Sequence, residues 1–144
     1  KDKYLRETRM VDFSNPAIQK LIQNMKWKEM GEFERIKAIY NYVRDDVLFG
    51  YNIDDGISAS KVLADGYGQC NTKGTLFMAL LRACNIPCRV HGFTIDKRLQ
   101  KGAMTGFVYR NAPKSIFHSC DIVNIGLHFI LKNVRPYAAP CSEA

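Results

Sequence analysis

The sequence predicts an α+β domain, on three observations. Apolar residues recur at helical spacing through roughly the first 84 positions, and alternating β-branched runs follow them. No internal repeat or low-complexity linker divides the two halves. Helices first and strands second imply helices packed on a segregated antiparallel sheet. A chain of 144 residues, 47% apolar and 24% charged, is of a size and composition for one domain with its own core.

Asn15-Pro16 supplies a cap and a first-turn proline for a helix carrying Ile18, Leu21, Ile22 and Met25 on one stripe. After Gly31, a second and longer stripe runs through Phe33, Ile36, Ile39, Tyr40, Val43 and Val47, and the turn-rich "FGYNIDDG" ends it. Ser58 can cap the short helix "ASKVLAD", which Gly66 terminates. A third main helix is predicted from about Cys70 to Ala83, with Leu76, Phe77, Leu80, Leu81 and Cys84 inward; its apolar content places it centrally. "IPCRVHGFTID" reads as the first strand, then a long loop, then "SIFHSCDIVNI", and "LHFILKNV" through Gly126 as the third.

No apolar run approaches the roughly 18 residues of a membrane span, so none is expected. The chain opens on "KDKYLRETRM" without an initiator Met, which suggests a fragment or a processed chain that could have lost a targeting segment. The net charge of +7 has a modest focus at Lys97, Arg98, Lys101, Arg110 and Lys114. With no nucleic-acid motif beside it, this reads as a solvated basic loop, and no nucleic-acid partner is expected. Five cysteines, an odd number, argue against a disulfide scaffold. "CNIPC" lacks the two-residue spacing of a redox or zinc pair, so no metal site is expected. Reduced thiols point to a cytoplasmic protein.

One cysteine stands apart. In "GYGQCNTKG", Cys70 falls where a glycine-punctuated turn becomes a helix. Unpaired N–H groups there favour a thiolate and can hold a developing oxyanion. Gly66 and Gly68 allow unusual backbone angles and leave room for a substrate chain near the sulfur. Position alone also suits a buried, inert cysteine, since free thiols are among the most buried side chains. A nucleophile needs a base, and the histidines are His91 and His118 in the first two strands and His128 in the third.

With these residues in view, the chain resembles the transglutaminase-like superfamily of papain-fold thiol enzymes, in particular its small microbial and archaeal domains. "IYNYVRDDVLFGY", "SASKVLADGYGQCNTKGTLFMALLRACNIPCRVHGF" and "FHSCDIVNI" carry the likeness, from about Glu32 to Ser119. It implies a papain-like core in which the central Cys-bearing helix packs on a small antiparallel sheet. It also implies an organisation of residues 1–31 as a helical extension, 32–133 as the core and 134–144 as an atypical tail. In the family pattern the G-x-C turn carries the nucleophile, here Cys70, and the strand opening His-small carries the base, here His118; His91 matches an ordinary strand position.

The third member departs from the pattern. The family has an acid, usually Asp, roughly fifteen residues past the histidine, where this chain has Asn133. An asparagine can orient an imidazole, as in Cys-His-Asn sites. Asp121 is the alternative, although three positions along a strand sets it on the opposite face from His118. The tryptophans of the family pattern are replaced by or near Cys120 and Phe129, and the tail "RPYAAPCSEA" matches nothing in it. A divergent third strand or a C-terminal end that is not ancestral would each account for this. The Cys70 backbone N–H and the hydroxyl of Tyr51 are the expected oxyanion donors, while Gln69 is expected to point away from Cys70. The resemblance implies amide hydrolysis or acyl transfer on a peptide or protein substrate through a Cys70 thioester, with no cofactor. The alternative is a catalytically impaired papain-fold module that binds a peptide or protein partner.

Overall fold

The computed structural model describes residues 2–100, 106–125 and 127–130, with 2, 93, 99–100, 108, 116–125 and 127–130 described by their backbone alone. Its helices are α1 (Pro16–Asn24), α2 (Glu32–Asp45), α3 (Ala59–Asp65), α4 (Cys70–Ala83) and α5 (Gly106–Asn111). Its strands are β1 (Leu48–Phe49), β2 (Tyr67–Gly68), β3 (Cys88–Asp96), β4 (Ser115–Ile125) and β5 (Leu127–Ile130). Short 3-10 turns occupy Asp2–Leu5, Trp27–Glu29 and Lys97–Gln100.

Local chemistry explains the boundaries. The Asn15 side chain accepts the Ala17 N–H at 3.0 Å and Pro16 opens α1. Ser58 Oγ accepts the Lys61 N–H at 3.3 Å, and Gly66 closes α3 at φ 71°, a left-handed angle that a side chain resists. At the other end of α4, Asn85 takes φ 61°, its N–H reaching Arg82 O and the Ile86 N–H reaching Leu81 O. That pair is a Schellman motif, and Pro87 behind it forbids another turn.

Helix α4 is the hub. It packs against α1, α2, α3, β3 and β4. Thr72 and every residue from Gly74 to Leu81 are buried, so the helix is covered on all sides over its middle turns. Leu76, Phe77, Leu80 and Leu81 each contribute about 1.5–3 kcal/mol by leaving water. Ile18, Ile22, Trp27, Ile36, Ile39 and Val43 complete the core from the N-terminal side. Phe33 and Met25, expected on the buried stripes, are exposed because they sit in a first turn and at a C-cap, beyond the covered length of each helix.

The second half is the antiparallel sheet expected, in the order β3-β4-β5. Cys88 pairs with Val123 and Asp96 with Ser115, so β3 and β4 run together for nine pairs. Two features differ from expectation. The long loop after β3 contains helix α5, and the helical half contains a two-stranded parallel sheet, β1 with β2, which joins Leu48 to Tyr67 and Phe49 to Gly68. Two-residue strands have no period to read, so only the tertiary pairing reveals them.

Candidate active site

Cys70 is the first residue of α4, directly after the β1–β2 ribbon. The parallel register pairs Leu48 with Tyr67 and Phe49 with Gly68, which brings the loop that follows Phe49 to the start of α4. The Gly50 N–H continues the pairing by donating to Gly68 O at 3.2 Å.

A polar cluster fixes this turn. The Gln69 N–H donates to Thr72 Oγ1 at 3.0 Å, and the Thr72 hydroxyl donates to Asn52 Oδ1 at 2.6 Å. The Asn52 N–H donates to Gln69 Oε1 at 2.8 Å, and Asn52 Nδ2 reaches Tyr67 O at 3.2 Å. The loop 50–52 and the start of α4 are thereby laced together, and the buried Thr72 hydroxyl is satisfied. Gly68 is required by space: a Cβ there would lie 2.6 Å from Thr72 Oγ1 and 3.3 Å from Asn52 Oδ1. Its place is against this cluster, whereas the sequence reading gave it a role in making room for substrate. Gln69 points into the cluster and donates from Nε2 to Asp55.

The Cys70 sulfur is half-buried and faces the Asn71 side chain, donating to Oδ1 at 3.7 Å. Asn71 Nδ2 in turn donates to Asp55 Oδ2 at 3.2 Å. Burial pushes the Cys70 thiol up; the Asn71 backbone N–H pulls it down, the Asp55 charge pushes it up, and its own N–H pulls it down. The net direction is upward, opposite to what the helix N-terminus alone predicts. Desolvation of the anion and a nearby carboxylate outweigh two N–H groups. Burial also raises the Cys84 thiol, so the described surroundings do not by themselves set Cys70 apart.

The remaining expected residues fall as follows. His118 lies in β4 opposite Phe93, and α4 packs against this strand, so the backbone of the proposed base belongs to the layer that covers the cysteine helix. Asp121 is opposite Val90 in the same strand pair. His91 lies in β3 opposite Cys120, and His128 in β5 opposite Asn124. Tyr51 is 74% exposed, its ring edge-on to Phe49 at 5.5 Å between centroids. Asn133 lies outside the described residues. Asn52, Asp55, Asn71 and Thr72 were not singled out from the sequence. The one signal was the pair of acids in "YNIDDG", which reads equally as turn chemistry. Among the described residues, no three His, Cys, Asp or Glu side chains converge as a metal site would require, and no helix is long and apolar enough to cross a membrane.

Comparison with known proteins places this arrangement. A solved structure from Cytophaga hutchinsonii, described as that of a candidate cysteine protease, superposes with a TM-score of 0.62 at 22% identity, covering 90% of this chain. At that identity the likeness shows the fold, and the chain spans 40% of the length of that protein's chain. No curated protein matches significantly. The sequence profile of the transglutaminase-like superfamily matches residues 19–125, a span that takes in Cys70, the β1–β2 ribbon and the whole of β4. The chain belongs to the transglutaminase-like superfamily.

Proposed function

We propose that the protein is a transglutaminase-like thiol enzyme that cleaves or transfers the acyl group of peptide or protein amides, with Cys70 as nucleophile and His118 as general base. The observation that carries this reading is the placement of Cys70 at the first turn of a buried helix that packs against the strand bearing His118. His118 takes the thiol proton, and the thiolate attacks the amide carbonyl to give a tetrahedral oxyanion. The amine departs with the proton returned by His118, leaving a thioester that water or a second amine resolves.

With the thiol raised by burial, the scheme requires a base to remove its proton, the task assigned to His118. The backbone N–H of Cys70 and the hydroxyl of Tyr51 are the oxyanion donors in this reading. Asn133, with Asp121 second, orients the imidazole. Residues 32–133 form the catalytic core, with 1–31 as a helical extension.

Iodoacetamide labelling of the native protein at pH 6, mapped by peptide mass spectrometry, tests the reading. Cys70 should be alkylated far faster than the other four cysteines, and His118→Ala should abolish the preference. Equal labelling of all five would sink the enzyme and leave a papain-fold module that binds a peptide or protein partner.

A further inference from the structure

The side chain that meets the sulfur is an amide, and an amide can present either of two opposite faces. Asn71 shows Oδ1 to Cys70 Sγ, at 3.7 Å, and Nδ2 to Asp55 Oδ2, at 3.2 Å. Asp55 favours one of the two. An ionised carboxylate only accepts hydrogen bonds, so it takes the NH₂ and turns the carbonyl oxygen toward the sulfur. An acceptor beside the sulfur pairs with S–H and repels S⁻. The reversed amide would do the opposite, donating to a thiolate.

Asp55 is itself held in place, since its other oxygen accepts from Gln69 Nε2, the residue before the cysteine. The carboxylate therefore grips both neighbours of Cys70 in sequence, from a loop 15 residues upstream. Other charged groups nearby have partners of their own. The Lys73 ammonium donates to Val47 O at 2.6 Å, Asp65 pairs with Lys61 and accepts from Asn52 Nδ2 at 3.4 Å, and Asp54 accepts the Gly56 N–H. His118 belongs to strand β4, which packs against α4.

We propose that Asp55 is a positioning residue which, through Asn71, holds Cys70 in its resting thiol state until the proton is taken for reaction. The device rests on the reading of Cys70 as the nucleophile. It keeps a half-buried sulfur protonated and aimed at Asn71 when no substrate is engaged, so that Cys70 reacts more slowly than it would without Asp55. Freeing the Asn71 amide to turn over converts its acceptor into a donor and favours the thiolate.

The test is the rate of Cys70 alkylation by iodoacetamide against pH in the full chain, for wild type, Asp55→Asn, Asn71→Ala and Asp54→Asn. Asp55→Asn removes the charge and the obligatory acceptor, while Asn71→Ala removes the relay and leaves the Asp55–Gln69 contact in place. Both should speed alkylation near neutral pH and displace the profile to lower pH. Asp55→Asn should do so by more than about threefold, the most expected of losing a unit charge roughly 8 Å away and screened nearly as in water. Asp54→Asn removes the same charge from the same loop without touching the relay, so its shift should stay within that factor. Matching profiles for Asp55→Asn and Asp54→Asn, or slower labelling in Asn71→Ala than in wild type, would overturn the proposal. The series repeated with His118→Ala separates the two ideas: the Asp55 effect persists there, because it acts on the thiol itself. Loss of the His118 effect alone would remove only the general base.

Discussion

At the scale of single residues, the turn before Cys70 is governed by contact distances rather than by glycine's freedom of angle. Gly66 is the position where a left-handed φ, 71°, demands glycine. Gly68 is glycine because a methyl group would sit 2.6 Å from the Thr72 hydroxyl and 3.2 Å from Lys73 Cγ. Thr72 is fully buried and committed to Asn52 and Gln69, so it has nowhere to retreat. Gly68→Ala should therefore cost about 2 kcal/mol or more, combining overpacking with a broken buried hydrogen-bond cluster. A urea unfolding curve would measure it. A loss under about 0.5 kcal/mol would show that the cluster yields, since surface-like substitutions fall in that range.

At the scale of elements, helices were legible where caps announced them. Asn15-Pro16, Ser58 and Gly66 each act at the terminus that their residue type suggests. The apolar density of "TLFMALL" likewise marked α4 as central. The β1–β2 ribbon was not legible, because four residues carry no alternation and their partners are 19 apart. The Asp55–Asn71 contact was hidden for the same reason, as it joins residues 16 apart through a loop. Of the site, the cysteine and its helix could be read from local pattern, while the groups that set its protonation could not. A second long-range link joins α2 to α4. The half-buried Lys73 ammonium donates to Val47 O at 2.6 Å and Arg44 O at 3.3 Å, supplying a cation to carbonyls at the C-terminal end of α2. Lys73→Met keeps the stem and deletes the donors, and should cost about 1–2 kcal/mol in chemical denaturation. Burial lowers the Lys73 pKa. The unfolded chain therefore binds more protons than the folded one between the two values. The advantage of wild type over Lys73→Met should then grow as pH rises through the lowered range toward about 10.4. A difference that shrinks over that range would contradict the assignment.

At the scale of the whole molecule, α4 joins two regions with separate tasks. Its N-terminus presents Cys70, and its C-terminus anchors the helical half. There the Arg35 guanidinium donates to Trp27 O at 2.8 Å, Met30 O at 2.7 Å, Lys28 O at 3.1 Å and Cys84 O at 3.1 Å. One side chain of α2 thus closes the 3-10 turn around the fully buried Trp27 and the end of α4 together. A planar fork with five donors can do this, and a single ammonium cannot span the same set. Arg35→Ala should cost about 2–3 kcal/mol through the orphaned carbonyls, lowering Tm by roughly 5–10 °C for a chain of this length. Arg35→Lys should recover only a minor part. The two ends of α4 lie about 20 Å apart, beyond the reach of a local packing defect. In the folded Arg35→Ala protein, the preference for labelling Cys70 at pH 6 should therefore match wild type. A labelling preference that falls along with Tm would mean that the two ends are coupled through the helix. Cys70 would then depend on the packing of the whole helical half rather than on its own turn.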